Sequence, residues 1–461
     1  MNRKVTLLAS AMAAAVLAGS ALAKVPDEVA ARLGQDLNPM GGEIAGNAAG
    51  TIPAWDGGLT SPPSGITFDP ATMQPPDPFS GDQPLFRITA ANMSQYSDNL
   101  TDGHKALLQN RDGYFMDVYT SRRSCSNPQF VYDASRRNAT EGSLVRGADG
   151  GLDGAGVLGA IMGAPFPIPS NGLEAIWNHT LRFRGFKLTR QFAAFPVQRD
   201  GSSTPIIVQD EAILRWSDPG KTRAEDLNNV SILYIANTIS PARLAGNVIL
   251  VHESLNATVA PRQAWQYNPG TRRVRRAPDI SYDNPGTNTD GMSTSDAFDG
   301  YNGAPDRYDW QLVGKFERYV PYNSYRLLNS KYADLIQPLN INQEFARYEL
   351  HRVWTVEAKL RPGTRHVYSR RVFNIDEDST TITGAEYYDG RGELWRVQEM
   401  HLVNFYHVPT CGGVAELMYD LQDGRYLASA LRGEEPPVNY FADELNEDRY
   451  TPQAIRGMGK R

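Results

Sequence analysis

The chain has 461 residues, of which 41% are hydrophobic, 21% charged and 10% aromatic, a balance that fits a folded protein and excludes a disordered or collagen-like one. Its formal net charge of −6 disfavours a general nucleic-acid binder, because such proteins gain affinity chiefly by neutralising phosphates. The 22 Tyr, 16 Phe and 7 Trp, with 41 Gly and 30 Pro, favour strands joined by tight turns.

The N-terminus has the pattern of a secretory signal. A basic start at residues 2–4 precedes an apolar run at residues 5–17, and Ala21-Leu22-Ala23 is an A-x-A processing site. We therefore predict a signal peptide at residues 1–23 and a mature chain that begins at Lys24. No later stretch approaches the ~20 apolar residues of a membrane-spanning helix, so we do not expect a protein integral to the membrane.

Two cysteines, Cys125 and Cys411, remain in the exported chain. An isolated pair in an oxidising compartment favours a disulfide over a metal or redox site, and no C-x-x-C motif indicates otherwise. We predict that they are bonded to each other; the alternative is a pair of buried thiols.

The N-terminal part of the mature chain has a composition unlike the rest. Residues 24–84 are rich in Pro, Gly and Asp, which predicts an extended arm that carries one short helix at residues 27–33. Further helices are predicted within residues 88–110, at residues 172–178 and at residues 241–244. Residues 85–461 are interpreted as a single domain.

From about residue 180 onward, apolar residues alternate with polar ones, as half-buried strands require, for example along residues 206–216, 310–320 and 350–360. The polar parity, which includes Glu349 and His351, is expected to face water or a polar lumen. Turn signals separate the stretches, and a parity shift within residues 395–405 indicates a bulge. These patterns predict a mainly β (α+β) fold: a large curved antiparallel sheet or incomplete barrel, with a few short helices that cover one face. Residues 279–309 are too long for a hairpin turn and form either a functional loop or a mobile excursion.

Common catalytic signatures are missing from the sequence. Residues 220–222 lack the upstream Gly of a phosphate loop, His252-Glu253 lacks the second His of a zinc helix, and no G-x-S-x-G elbow occurs. We therefore predict no catalytic residue, no cofactor and no metal ion. Weaker alternatives are calcium binding by residues 279–309, a metal at His401 and His407, and glycosidase chemistry by Glu386 with Glu393 or Glu357 with Glu399.

A hairpin is predicted at residues 263–278, where Trp265 and Tyr267 share one strand parity. Four arginines follow the turn and offer planar donors to a phosphate or carboxylate headgroup, or to a partner: Arg272, Arg273, Arg275 and Arg276. The alternative is a solvated basic hairpin. Other aromatic residues at strand parity are candidates either for the core or for the wall of a hydrophobic ligand cavity: Trp216, Trp310, Phe316, Trp354 and Trp395.

Three motifs carry a resemblance that spans nearly the whole mature chain: residues 165–179, with a PFPIP run, residues 265–278, and residues 298–310. They resemble a domain-of-unknown-function family of large exported Gram-negative proteins described as outer-membrane lipoprotein-sorting-like. That family is similar, more remotely, to the LolA/LolB lipoprotein carriers. The resemblance implies an incomplete antiparallel barrel, wrapped over helices, whose cavity takes acyl chains. It also implies a partner, either a resistance-nodulation-division exporter or an outer-membrane protein.

We therefore expect a periplasmic carrier or chaperone that holds a lipid-like or other hydrophobic molecule and serves envelope transport. One rival is an exported enzyme that acts on envelope lipid or glycan, which requires titratable groups clustered at a cavity. The other is a non-catalytic adaptor of an export complex, which requires a broad exposed apolar patch and no enclosed cavity.

Overall fold

A computed structural model of the chain describes residues 25–146, 152–277, 280 and 282–458. The predicted signal peptide at residues 1–23 lies outside the described residues. The described α-helices are α1 (Asp27–Ala30), α2 (Asp102–Asn110), α3 (Gln129–Glu141), α4 (Gly172–Thr180), α5 (Tyr325–Leu328), α6 (Tyr332–Leu335) and α7 (Pro452–Met458). Among the described residues, no helix is both long and apolar enough to cross a membrane.

Strands supply most of the regular structure. They are β1 (Phe86–Ile88), β2 (Met116–Tyr119), β3 (Ser143–Arg146), β4 (Leu152–Leu158), β5 (Lys187–Val197), β6 (Ile206–Leu214), β7 (Val230–Ser240), β8 (Val248–Ser254), β9 (Gln263–Asn268), β10 (Arg273–Arg276), β11 (Tyr308–Pro321), β12 (Tyr348–Leu360), β13 (Arg370–Asp376), β14 (Ile382–Tyr388), β15 (Leu394–Asn404), β16 (Cys411–Asp420) and β17 (Tyr426–Leu431).

One sheet of 15 strands organises the molecule, in the order β1-β2-β12-β13-β14-β15-β16-β17-β5-β6-β7-β8-β9-β10, with β11 paired to β12. All pairs are antiparallel except β2 with β12, and the end strands β1 and β10 do not pair with each other. The sheet is therefore open. Strands β3 and β4 form a separate small sheet. The prediction of a mainly β fold built on a large sheet that does not close into a barrel is confirmed.

Strand β12 corrects one interpretation of the alternation. Its polar parity was expected to face water or a polar lumen, but Glu349 is 0% exposed and His351 is 1% exposed. The Glu349 carboxylate accepts hydrogen bonds from Arg347 Nε at 2.6 Å and Asn323 Nδ2 at 2.9 Å. The first part of β12 is buried on both faces because neighbouring segments of the chain cover its polar side, whereas Glu357 is half-buried and Lys359 is exposed.

The predicted N-terminal arm lies against the rest of the fold. Met40 and Ile52 are buried, and Asn38 Nδ2 donates to Asp378 Oδ1 at 2.7 Å. Gly41 has φ +91°, and a Cβ there would lie 1.6 Å from the carbonyl oxygen of Pro167, so only glycine fits. A helix is present at α1, although it ends at Ala30. The division of the chain at residue 85 stays a prediction.

Of the three other predicted helices, two are present and one is not. Residues 88–110 contain a 3₁₀ segment at Met93–Asn99 followed by α2, and α4 begins at the predicted place, where Asn171 Oδ1 accepts from the Glu174 N–H at 3.0 Å. The prediction at residues 241–244 is wrong, since only a turn forms there. Helix α3 was not predicted. A bulge between His401 and Leu402 confirms the predicted irregularity in β15.

The predicted disulfide is present. The sulfurs of Cys125 and Cys411 are 1.93 Å apart, with their Cα atoms at 5.6 Å. The bond ties the segment after β2 to the first residue of β16.

Candidate ligand-binding cavity

A cavity of about 240 Å³ lies between the sheet and a loop that covers it. Its floor is the face formed by β15, β16, β17, β5, β6, β7 and β8. Its roof is the cover loop, residues 282–302, which falls within the long interruption singled out in the sequence. The volume is near the lower end of the ~300–1,000 Å³ of small-molecule sites. Apolar side chains dominate the floor: Leu188, Phe192, Ala194, Val208, Ala212, Leu214, Ile232, Ala236, Ile249, Val251, Met418 and Leu427.

The cover loop is anchored at several points. Asp296 is 2% exposed, and its carboxylate Oδ2 accepts from Arg371 Nη2 at 2.6 Å. Gln398 Nε2 donates to the carbonyl of Ala297 at 3.1 Å, and Asn288 Nδ2 donates to Thr238 Oγ1 at 3.0 Å. These contacts place the loop as a packed roof over the sheet face.

Phe298 stands where the roof meets the outside. Its side chain lines the cavity, yet the residue is 36% exposed, and its ring centroid is 6.3 Å from that of Tyr234 on β7. The next residue, Asp299, has φ +55°, a left-handed conformation that turns the chain sharply. The conformation directs the Asp299 carboxylate toward the arginines below.

Asp299 is the centre of an ion cluster at one end of the cavity. Its two carboxylate oxygens accept from Arg182 Nη2 and Arg184 Nη1. Burial alone would raise the pKa of Asp299, but these guanidinium groups hold it well below its ordinary value. The cluster fixes the roof to the segment that follows α4.

A second ion pair lies on the floor. Arg190 of β5 and Asp210 of β6 are register partners, and Arg190 Nε donates to both carboxylate oxygens of Asp210 at 2.9 Å. The hydroxyl of Tyr234 donates to Asp210 Oδ2, also at 2.9 Å. The Asp210 carboxylate is fully buried, whereas the Arg190 side chain keeps 26% of its surface accessible. Arg190 therefore presents a paired but accessible cation to the cavity.

Glu416 on β16 is an acid of the cavity wall whose pKa is shifted upward. Its Oε2 accepts from the Asp299 N–H at 3.0 Å. Burial, and then the neighbouring Asp299 carboxylate, raise the pKa of Glu416 to about 7, while Arg190 and Arg182 oppose that rise. The group therefore changes its charge near neutral pH.

We expect the stability of the protein to fall as pH rises through this pKa. Glu416 takes up a proton on folding between its ordinary pKa of 4.5 and its folded value of about 7. Its contribution is therefore fully present below 4.5 and lost above 7, by at most about 3 kcal/mol. Urea unfolding at about pH 5 and about pH 8 checks this, with Glu416→Gln as the variant that lacks the titration. An equal stability difference between the two proteins at both pH values would contradict it.

Arg432 differs from the other arginines of the cavity. It follows β17 directly, beyond a register shift between Ala428 and Leu431, and it is 3% exposed. Its Nη2 donates to the carbonyl of Gly413, and its Nε has no hydrogen-bond partner. Burial, and then the guanidinium of Arg190, lower the pKa of Arg432 to about 10.

The seven predicted aromatic wall residues lie elsewhere, and none of them lines this cavity. Trp216 packs in a separate cluster with Trp177, and its Nε1 donates to the carbonyl of Gly163 at 3.1 Å. Trp265 and Tyr267 pack against α7 at the far end of the sheet.

The other four aromatic residues belong to the β11 to β15 region. Trp310, Trp354 and Trp395 pack around a core of tyrosines, and Phe316 of β11 lies under the guanidinium of Arg318 at 4.9 Å. These four residues were candidates for either the core or a cavity wall, and they pack in the core or at the surface, away from this cavity. Aliphatic side chains of β5 to β8 form most of the wall instead, together with five other aromatic residues: Phe192, Tyr234, Phe298, Phe405 and Tyr440.

The predicted basic hairpin exists as β9 and β10. Arg272, Arg273, Arg275 and Arg276 are all exposed, and β10 is an edge strand. They lie outside the cavity, so a role in contacting a headgroup or partner stays a prediction for the outer surface. Charged edge strands also protect a sheet from pairing with other chains.

Strand β5 was not predicted to carry site residues, although the sequence pattern of its cavity-lining residues indicates a shared face. Leu188, Arg190, Phe192 and Ala194 share one parity and all line the cavity. On β6, Asp210 stands on the apolar parity of Ile206 and Val208. A charged residue on an apolar strand face usually has a partner of opposite charge. Arg190 on β5 and Asp210 on β6 are such a pair, so the signal was present in the sequence.

One buried group of described residues has atoms close enough for a metal: His351, Asp376 and Asp378, with one ligand atom each within 4.8 Å of the others. The Asp378 carboxylate already accepts from Arg123 Nε at 2.8 Å, Arg123 Nη2 at 2.7 Å and Asn38 Nδ2 at 2.7 Å. Protein donors therefore occupy most of the acceptor positions of Asp378, which belongs to a buried salt-bridge network with Arg123.

Several known proteins are similar to this chain. An uncharacterized protein of Pseudomonas aeruginosa is 45% identical over 468 residues, which cover 99% of each chain. The crystal structure of an outer membrane lipoprotein-sorting protein domain from Vibrio parahaemolyticus is 14% identical, with a TM-score of 0.43 over 62% of this chain and 98% of that one. A LolA superfamily protein from Nitrosomonas europaea is 13% identical, with a TM-score of 0.37 over 61% and 98%.

The family model described as "Protein of unknown function (DUF1329)" matches residues 87–456. The crystal structure of a DUF1329 family protein from Desulfovibrio piger is 14% identical, with a TM-score of 0.40 over 59% of this chain and 92% of that one. The matched range runs from β1 into α7 and includes the whole cavity. It omits the whole of the predicted arm, residues 24–84. The chain belongs to the DUF1329 family.

Proposed function

We propose that this protein is a carrier that binds a lipid-like or other hydrophobic molecule in the roofed cavity, without a chemical step. The observation that carries the proposal is the row of aliphatic side chains on β5 to β8 beneath an anchored loop. An apolar guest gains ~25 cal/mol for each Å² of apolar surface that it removes from water. Such a cavity in a folded protein therefore favours an apolar ligand over water.

The cellular setting follows from other features of the chain. The predicted signal peptide and the disulfide suit an oxidising compartment, and we place the protein in the periplasm. A resistance-nodulation-division exporter or an outer-membrane protein is the proposed partner that supplies or receives the ligand. The exposed arginines of β10 are candidates for that contact.

The enzyme alternative has one observation in its favour. Glu416 and Asp299 are neighbouring carboxyl groups at the cavity, and their pKa values are shifted in opposite directions. Both oxygens of Asp299 are held by arginines, however, so it is not free to act as a base. Turnover of an envelope lipid or glycan that is lost in Glu416→Gln would favour this alternative.

The adaptor alternative predicts no enclosed cavity. Native mass spectrometry of the protein purified from its own periplasm separates it from the carrier. A retained apolar molecule supports the carrier, and an empty protein with a co-purified partner supports the adaptor.

A substitution that fills the cavity tests the carrier directly. Ala236 of β7 lines the cavity and is 9% exposed, so Ala236→Trp places an indole where the guest would lie. We expect delipidated Ala236→Trp to bind a fluorescent acyl probe at least about tenfold more weakly than the wild type, since overpacking costs ~1–3 kcal/mol. Ala49→Trp, at an exposed position of the arm, is the matched control. Equal binding by both variants, each folded by circular dichroism, contradicts the proposal.

A further inference from the structure

Arg432 is a buried cation that lacks a counter-ion. Its guanidinium lies on the cavity wall, the residue is 3% exposed, and it forms no ion pair with any carboxylate of the described residues. The Nε–H has no acceptor. The carbonyl of Gly413 satisfies one N–H only, so most of the donor capacity of this side chain is unused.

The other arginines of the cavity are all paired. Arg190 binds Asp210, and both Arg182 and Arg184 bind Asp299. Arg262 donates through Nε to Glu253 Oε2 at 2.7 Å. Among the described residues, the cavity wall thus carries five arginines and three carboxyl groups, Glu253, Asp299 and Glu416. Asp210 is not on the wall but pairs with Arg190 from behind it. The excess positive charge grows when Glu416 is neutral.

The charged side chains are spread unevenly over the wall, and the lining residues of β6 and β7 carry no charge. Arg432 follows β17, next to β5 with Arg190 and near β16 with Glu416, and its guanidinium carbon is 5.5 Å from the ring centroid of Phe405. Apart from Tyr234 and the ion-paired Glu253, the lining residues of β6 to β8 are aliphatic: Val208, Ala212, Leu214, Ile232, Ala236, Ile249 and Val251. The cavity therefore has one cationic end and one long apolar side.

We infer that the ligand is an amphiphile with one compact oxyanion headgroup, a carboxylate or a phosphate monoester, which binds Arg432 while its apolar chain lies along β6 to β8. The inference rests on the proposed carrier function and names its ligand class. A buried charge without a partner is costly, and an incoming oxyanion offsets that cost. The planar guanidinium also suits two parallel N–H···O hydrogen bonds to such a headgroup.

Matched probes that differ only in the headgroup test the inference: dodecanoate, dodecyl phosphate and 1-dodecanol, with inorganic phosphate as the headgroup without a chain. Isothermal titration of the delipidated full chain measures each affinity. We expect the two anions to bind more tightly than the alcohol by about tenfold or more, as charge-assisted hydrogen bonds allow. We expect inorganic phosphate to bind far more weakly than dodecyl phosphate, because it lacks the chain.

Variants assign the effect to Arg432. In Arg432→Gln, the preference for dodecanoate over 1-dodecanol should disappear while the alcohol still binds. The control is Arg391→Gln, whose side chain is 76% exposed and does not line the cavity, and it should keep the preference. For the wild type, the ¹³C resonance of labelled dodecanoate should show a carboxyl that stays ionised to lower pH when bound, a readout that does not depend on how the variant folds.

Each unfavourable outcome has a distinct meaning. Tight binding of 1-dodecanol with no preference for the anions overturns the headgroup inference and leaves the carrier standing. A preference that persists in Arg432→Gln, or inorganic phosphate that binds as tightly as dodecyl phosphate, also overturns it. Failure of every chain-bearing probe, the alcohol included, overturns the proposed carrier function itself.

Discussion

Replacement of Arg371 by methionine should lower the free energy of unfolding by about 3–5 kcal/mol, because it leaves the Asp296 carboxylate buried without its cation. Arg371 is 0% exposed on β13, and Asp296 belongs to the cover loop. Burial alone would raise the pKa of Asp296, but Arg371 and His366 hold it far below its ordinary value, so the carboxylate is ionised at neutral pH. Methionine fills similar volume but supplies no donor.

The surroundings of Arg371 add to the expected loss. Its guanidinium carbon lies 4.6 Å from the ring centroid of Tyr308 and 5.3 Å from that of Tyr368, distances at which a cation is attracted to an aromatic face. Its Nε and Nη1 have no hydrogen-bond acceptor, so these rings are its other partners. The residue links β13, the tyrosine core and the roof of the cavity.

Urea unfolding measures the loss, and Arg370→Met is the matched control on the same strand. Arg370 pairs with Glu357, but its side chain is 34% exposed, so its removal should cost no more than about 1 kcal/mol. The double variant Arg371→Met with Asp296→Leu should recover part of the stability, since it removes the orphaned charge as well. The loosened roof should also speed release of an acyl probe in Arg371→Met. Equal losses in Arg370→Met and Arg371→Met would contradict this account.

The architecture was largely predictable from the sequence because strand alternation is a local signal. Residues 206–214, 308–321 and 348–360 form strands where the pattern predicted them. The disulfide was predictable because only two cysteines occur. The long loop at residues 279–309 was correctly singled out by its length and composition, and its described part roofs the cavity.

The site residues were harder to predict, because alternation shows which side chains share a face but not what covers that face. Trp354 and Trp395 pack against a cluster of tyrosines. The face that carries Leu188 and Val208 is covered by the cover loop, with the cavity between them. Aromatic residues at strand parity were candidates for either the core or a ligand wall, and parity does not separate the two. Trp354 and Trp395 pack in the core, whereas Phe192 and Tyr234 line the cavity.

Contacts between distant segments account for the remaining differences. Asn38 and Asp378 are 340 positions apart, and no local pattern in residues 24–84 indicates that the arm would supply a partner for a buried carboxylate. Glu349 is a second example. Its polar parity predicted an exposed side chain, but Arg347 and Asn323 hydrogen-bond its carboxylate in the interior. Buried polar groups follow their partners, and those partners are set by tertiary structure.

Removal of the disulfide should have the largest effect on stability. Cys125 and Cys411 are 286 positions apart, so the bond closes most of the described chain into one loop. The chain-entropy model then gives a loss on the order of 5 kcal/mol for Cys125→Ala with Cys411→Ala, because the unfolded chain gains freedom. Alanine is used rather than serine because Cys125 and Cys411 are only 2% and 5% exposed, and serine would bury two hydroxyl groups there.

The same change should reach the cavity, because Cys411 lines it and precedes Gly413, whose carbonyl accepts from Arg432. We therefore expect the double alanine variant to unfold at a lower urea concentration than the wild type. We also expect it to lose the preference for an anionic amphiphile. The wild type reduced in urea and refolded with its thiols blocked is the control that changes no residue other than the two cysteines. If it unfolds at the midpoint of the oxidised protein, the cross-link contributes little. A variant that is destabilised but keeps its anion preference would show that β16 holds Gly413 in place without the bond.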